Sequence, residues 1–246
     1  MTAALDISEL SFRYPTAEPN SPATVSVRAL RLNPGEQALL VGGSGSGKST
    51  LLQLIAGLLD PTSGRVEVDG QDVHALRGPA RDRFRGRRIG MIFQTFNLLH
   101  GFSTIENVMA ALMFSAVPPR EHRARAAALL TELGLDRHEA MADRLSVGQQ
   151  QRVAVARALA CEPALVLADE PTASLDPENA ATAMDLIQSA CRRHGAALLC
   201  TSHDPAMRAR FERIEMLADL RAERGVGAAG GGAEAARSIG GAGSGA

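Results

Sequence analysis

The chain holds no tryptophan, one tyrosine and only three cysteines, and its charges nearly cancel. With 26 basic against 27 acidic residues in 246, there is no broad field to recruit nucleic acid or an anionic membrane surface. The local exception is the run Arg81, Arg83, Arg85, Arg87 and Arg88, which reads as a solvated helix face ahead of a strand. Cys161, Cys191 and Cys200 are odd in number and lack metal-ligand spacing. They therefore read as small core residues in a reducing compartment, not as a disulfide framework. No apolar run comes near the length of about 18 residues that a spanning helix needs. Nor does the opening stretch combine a basic start, an apolar run and a small-residue cleavage site. The expectation is a cytosolic chain that reaches a membrane only through a partner.

What is present is an ordinary soluble composition, 45% hydrophobic, in a length that suits one large domain or a core plus a subdomain. Leu5 and Ile7, then Val25 and Val27, alternate as in two strands joined by the turn-rich stretch 15–22. Asn33-Pro34-Gly35 turns the chain into Ala38-Leu39-Leu40-Val41, a run with the look of a fully buried strand. A glycine-rich loop and a helix over about 48–59 follow. Strands are expected at 65–69 and 89–93. A helical region runs over 104–134, broken at Pro118-Pro119 and closed by Gly134. Beyond it come a helix to about Ala160, a strand at 164–168, a helix at 177–193, a strand at 196–201 and a short helix at Pro205. Alternation of helices with apolar strands predicts an α/β fold with a largely parallel sheet covered on both faces. From Gly225 onward the chain is nearly all Gly, Ala and Ser, and 225–246 reads as a disordered tail.

The chemistry is concentrated in a few phrases. Gly42-Gly43-Ser44-Gly45-Ser46-Gly47-Lys48-Ser49, with Thr50 behind it, lies between a buried strand and a helix, the context a phosphate-binding loop requires. Its glycines let backbone N–H groups turn inward, and the helix N-terminus adds partial positive charge. Lys48 then reaches the terminal phosphates and Ser49 holds Mg²⁺. Asp169 and Glu170 emerge at a strand's C-terminal end, where open α/β sheets place their ligands. Asp169 suits the Mg²⁺ shell, and Glu170 suits orienting or deprotonating an attacking water. His203, just after the strand ending at Thr201, can hydrogen-bond a γ-phosphate or that water. Gln94 offers an amide to metal and water. Asp176 reads equally as nucleotide contact and as helix cap before Pro177. Tyr14, the only tyrosine, is assigned to stacking on a base, with core packing as the alternative.

With these pieces in order, the chain resembles an ATP-binding cassette (ABC) transporter subunit over 5–217. The resemblance rests on 42–49, Gln94, Leu145-Ser146-Val147-Gly148-Gln149, Asp169-Glu170, Ser174-Leu175-Asp176 and His203. Phe93-Gln94-Thr95-Phe96-Asn97-Leu98-Leu99, Glu106-Asn107-Val108 and Gln149-Gln150-Gln151-Arg152-Val153 are similar to the lipoprotein-releasing and macrolide-efflux branch, whose wording amino-acid import subunits largely share. Val147 stands where glycine is usual and Gly43 where proline is commoner. Leu220 sits near the place of a glycine turn, leaving the C-terminal strand undefined.

The resemblance implies a P-loop core with a mostly parallel sheet, an N-terminal antiparallel β region and a helical subdomain at about 95–160, all within an ATP-binding domain at 1–224. It also implies ATP and Mg²⁺ as ligands and a head-to-tail homodimer, or a paired ABC subunit, with ATP at the interface. There Ser146, Gly148 and Gln149 of one copy face the glycine-rich loop of the other. A membrane permease subunit receives the force, and the chain sits at the cytoplasmic face of the inner membrane. Leu98, Leu99, Phe102 and Ile105 are the candidate docking groove for that partner, with a small satellite core as the alternative. Weighed against this are an amino-acid importer ATPase and a non-transport ABC ATPase of the cell-division, DNA-repair or translation kind. The last two usually carry two cassettes or a long coiled-coil insert, for which the interval from Lys48 to Ser146 has no room.

Overall fold

The computed structural model describes residues 2–16 and 23–221; the stretch 225–246, expected to be disordered, lies outside them, as does most of the turn at 15–22. Alternating burial shapes β1 (Leu5–Phe12), β2 (Val25–Leu32) and β4 (Ser63–Val68). With the short β5 (Gln71–Asp72) they form an antiparallel sheet in the order β2-β1-β4-β5. A second sheet joins β3 (Gln37–Val41), β6 (Ile89–Ile92), β7 (Leu165–Asp169), β8 (Ala197–Ser202) and β9 (Arg213–Met216) in the order β6-β7-β8-β3-β9. Every pairing in this second sheet is parallel.

The central parallel strands β3, β7 and β8 are mostly apolar and buried because both faces are covered. Leu39, Val41, Val166, Ala168, Leu198 and Cys200 point into a core shared with α3 (Thr104–Leu112), α4 (Pro119–Glu132), α5 (Val147–Leu159) and α6 (Pro177–Arg193). Their neighbours Ala38, Leu40, Leu165, Leu167, Ala197 and Leu199 point the other way, into a core completed by α1 (Lys48–Ile55) and the antiparallel sheet. The basic run forms α2 (Gly78–Arg88), which buries no residue. That is the solvated face expected of it. Gly90 lets α5 approach β6 closely, since a Cβ there would lie 2.3 Å from the Ala158 carbonyl oxygen.

Several boundaries differ from the sequence expectation, each for a local reason. Helix α1 ends at Ile55, not 59, because Gly57 takes φ 67 and turns the chain. The short helix at Pro205 is a 3₁₀ segment, Pro205–Arg210. The C-terminal strand left undefined by Leu220 exists as β9, paired to β3 from Ala38↔Arg213 to Val41↔Met216. Ile105 is buried and Leu98 packs against the helical core, so only Leu99 and Phe102 of the expected docking groove are exposed. Cys191 and Cys200 are buried, and burial pushes the Cys191 thiol up to about 12 and Cys200 further up. Cys161 is only half-buried and lines the surface between α2 and α5. Among the described residues no helix is long and apolar enough to cross a membrane.

The segment leading into α3 is held from inside. Asn107, fully buried, accepts from Leu99 N at 2.7 Å and donates to the carbonyls of Leu99 (3.3 Å) and Ser103 (3.0 Å). Glu106 completes a capping box with Ser103. Asn107→Ala strands these backbone groups without partners, so it is expected to cost about 2–4 kcal/mol in urea unfolding. A loss below about 0.5 kcal/mol would show that the segment holds itself.

Candidate nucleotide site

The turn after β3 delivers the chain into a loop whose last glycine adopts a backbone few other residues could hold. Gly47 has φ 102, and a Cβ there would lie 2.8 Å from the Thr24 carbonyl oxygen. It is the N-cap of α1 and supplies no side chain to cap it, so the first-turn N–H groups are left for a ligand. Beside it the Ser46 hydroxyl is buried without a hydrogen-bond partner. Lys48, 7% exposed, spends its ammonium on the carbonyls of Gly42 (2.8 Å) and Gly43 (3.2 Å), with Glu170 at 3.6 Å. Open donors and a nearly buried cation are what an oligophosphate would satisfy, and the residues fit one.

These groups line a cavity of about 540 Å³ with Tyr14, Thr24, Ser44, Gly45, Ser46, Ser49, Thr50, Gln94, Glu170 and His203. Asp169 joins through Ser49, whose hydroxyl donates to its Oδ1 at 3.1 Å. A hydroxyl and a single carboxylate form the hard-oxygen set that binds Mg²⁺ when substrate phosphates supply the remaining ligands. No cluster of three or more His, Cys, Asp or Glu side chains able to hold a metal occurs among the described residues. A metal site complete without substrate is therefore absent there.

Thr201, whose role sequence reasoning missed, ties the acidic pair to the sheet. The β7–β8 register sets it opposite Asp169. Its hydroxyl donates to Asp169 Oδ1 at 2.8 Å and accepts from Glu170 N at 3.0 Å. Glu170 is left-handed, with φ 47, a conformation costing a non-glycine residue on the order of 1 kcal/mol or more. That turn aims its carboxylate both at Lys48 and at His203, whose Nδ1 lies 2.8 Å from Oε2 and whose backbone N–H donates to the same oxygen. The pair can hold a water between a carboxylate and an imidazole at the cavity mouth.

Gln94, two residues past the end of β6, lines the same cavity. Two residues on, Phe96 (φ 57) and Asn97 (φ 47) are also left-handed. Tyr14 stands at the rim, 39% exposed, edge-on to Phe12 with ring centroids 4.8 Å apart and its hydroxyl 3.3 Å from Thr50 Oγ1. One edge is thus packed, and the ring still borders the cavity.

The other sequence-selected residues are elsewhere. Ser146 caps α5, accepting from Gln149 N, while Gln149 Oε1 accepts from Ser146 N. Asp176 caps α6 through Asn179 N at 3.1 Å, and its hydrogen bonds with Asn179 hold its carboxyl below the usual range. Ser146, Gly148, Ser174 and Asp176 line a second cavity of about 450 Å³ that shares no lining residue with the first.

Residues 26–173 match the family described as ABC transporter. The chain is 46% identical over 198 residues to the lipoprotein-releasing system ATP-binding protein LolD 1 of Caulobacter vibrioides, covering 78% of this chain and 83% of that one. It is 38% identical over 229 residues to the macrolide export ATP-binding/permease protein MacB of Syntrophobacter fumaroxidans, covering 92% of this chain and 32% of that larger protein. Among solved structures it resembles the dimeric post-hydrolysis state of the ATP-binding cassette MJ0796 bound to ADP and phosphate. The TM-score there is 0.74 and the identity 33%, over 89% of this chain and 97% of that one.

Thr201→Val keeps the shape of β8 and removes both hydroxyl bonds. Stability is expected to fall by about 1–3 kcal/mol, and Mg²⁺-dependent nucleotide hydrolysis by about tenfold or more, because the acidic pair loses its aim. Full hydrolysis by a stably folded variant would show that Asp169 and Glu170 need no such tether.

Proposed function

Because the chain belongs to the ABC transporter family, as an ATP-driven subunit of the lipoprotein-release or export type, we propose that its two surfaces clasp ATP head to tail between two copies. In this reading 42–50 cradles the phosphates of one copy's ATP and Tyr14 holds the base. The other copy's Ser146 hydroxyl and Gly148 N–H, at the start of α5, meet the γ-phosphate, with Gln149 and Asp176 flanking them. The observation that carries it is that the phosphate-loop residues and the Ser146–Gly148 and Ser174–Asp176 residues line two cavities with no lining residue in common.

Within the first half, Lys48 exchanges its carbonyl partners for the β- and γ-phosphates. Ser49, Asp169 and Gln94 would hold Mg²⁺, which would supply positive charge beside the transferred group. Glu170 orients and deprotonates the attacking water, and His203 fixes the carboxylate and steadies the γ-phosphate. Loss of that phosphate removes several hydrogen bonds to a charged group, each worth about 1.5–3 kcal/mol, and the clasp opens.

The domain 1–224 acts as one ATP-binding unit, with the helical part at about 95–160 carrying force outward. The receiver is an integral membrane permease subunit, which holds this chain peripherally on the cytoplasmic face of the inner membrane. Exposed Leu99, Phe102, Met113 and Phe114 supply the apolar surface for that contact. The near-zero net charge supports no nucleic-acid partner.

Glu170→Gln is expected to bind ATP without cutting it, and to shift from monomer to dimer in size-exclusion chromatography when Mg-ATP is added. A variant that stays monomeric at saturating Mg-ATP would falsify the clasp. Lys48→Ala is expected to lower turnover by about a hundredfold or more; persistent hydrolysis would place the site elsewhere.

A further inference from the structure

Arg157, near the C-terminal end of α5, is partly buried, and among the described residues its guanidinium is held by carbonyls with no carboxylate paired to it. Its Nη1 donates to the Asn97 carbonyl at 2.5 Å and its Nη2 to the Phe96 carbonyl at 2.6 Å. Burial lowers its pKa, and no acidic group offsets that effect. A guanidinium stays protonated even so, and a partly desolvated cation held by neutral carbonyls is a costly way to pin a loop. The two carbonyls belong to consecutive residues that are both left-handed without being glycine, at φ 57 and 47.

The turn is wound tightly. Phe96 N bonds back to the Phe93 carbonyl, Asn97 N to the Thr95 carbonyl, and the Thr95 hydroxyl to Asn97 Oδ1. Such a backbone persists only where its surroundings over-determine it, and the planar fork of Arg157 matches two adjacent carbonyls as no ammonium could. Gln94 lies at the start of this turn and in the nucleotide cavity. At its other end α5 starts from Ser146.

We propose that Arg157 is a positioning residue for hydrolysis: it holds 96–97 in the left-handed turn that aims Gln94, and it ties that aim to the helix presenting Ser146 to the opposite copy. A movement of α5 as the clasp closes thereby draws Gln94 into place, so the glutamine of one site answers to the signature helix of its own chain, which serves the other site. This rests on the role proposed for Gln94, and the test separates the two.

The full-length chain bearing Arg157→Gln is compared with the unchanged protein in steady-state hydrolysis across a Mg²⁺ titration at saturating ATP, in Mg²⁺-free binding of a fluorescent ATP analogue, and in thermal unfolding. The expected result is a kcat about tenfold or more lower and a raised Mg²⁺ concentration for half-maximal rate. Mg²⁺-free affinity should stay within about twofold, because Arg157 does not line the nucleotide cavity. Arg157→Lys, which keeps the charge but not the fork, should fall between the two proteins, and it serves as the readable variant if the glutamine form does not fold. Unchanged kcat and Mg²⁺ dependence in a folded variant overturns the inference. So does a rate loss that merely follows lost nucleotide affinity and melting temperature. Gln94→Ala is the reference: normal Mg²⁺ dependence there ends the role of Gln94 and the inference with it. A defect in Gln94→Ala that Arg157→Gln lacks ends only the role of Arg157.

Discussion

The parallel register of β3, β8 and β7 brings Val41, Ser202 and Asp169 to one edge of the sheet, and the reacting groups hang from that edge by short tethers. Val41 leads into the phosphate loop, Asp169 and Glu170 end β7, and His203 follows β8. Thr201 bonds both members of the acidic pair across the β7–β8 register. A slip of one residue would turn Thr201 away and send its alternating neighbours to the wrong core. Burial on both faces prevents that slip, since Leu165, Leu167 and Leu199 serve one core and Val166, Ala168 and Leu198 the other. Packing far from the nucleotide therefore sets distances of about 3 Å at the chemistry.

How much could be read beforehand depended on whether the physics was local. The phosphate loop was legible because its function requires consecutive glycines at one strand–helix junction. The start of α6 was legible because Asp176 and Pro177 suit adjacent positions of one helix end. Glu106 and Asn107 stood out only as family wording, and the fold gives them work as a cap and an internal brace. Thr201, Arg157 and the orphaned Ser46 hydroxyl were not legible as a tether, a clamp and an open donor. Thr201 and Arg157 act through partners distant in sequence, Arg157 at separations of 60 and 61 residues, and Ser46 is orphaned only by the way its loop folds. Ile105 was left open between docking groove and core for the same reason: exposure depends on what packs above a residue, and the fold puts it in the helical core.

Several strained or unsatisfied groups lie in or next to the nucleotide cavity and the turn after Gln94. Glu170, Phe96 and Asn97 hold left-handed backbones, Ser46 keeps a buried hydroxyl without a partner, and Lys48 satisfies its charge mainly on carbonyls of its own loop. Each lowers stability, and well-packed sheets supply the margin. A phosphate entering the cavity gives Ser46 and Lys48 stronger partners than they have alone. Binding energy is drawn from groups the fold left incomplete.

The same economy explains why one copy is an unfinished enzyme. Ser146 and Gly148 begin a helix whose dipole favours an anion, yet the cavity they line holds no lysine and no glycine-rich loop. The lysine-bearing cavity, in turn, has no second helix end to close over a γ-phosphate. Helix α5, 13 residues long and so about 20 Å from end to end, is rigid enough to connect these needs. In the proposed clasp its first turn serves the opposite site, and its last turn grips the carbonyls behind Gln94. A lever with one end in each site makes simultaneous assembly cheaper than assembly of either site alone, because the ordering of the turn at 96–97 and the docking of Ser146 draw on one rigid-body motion instead of two.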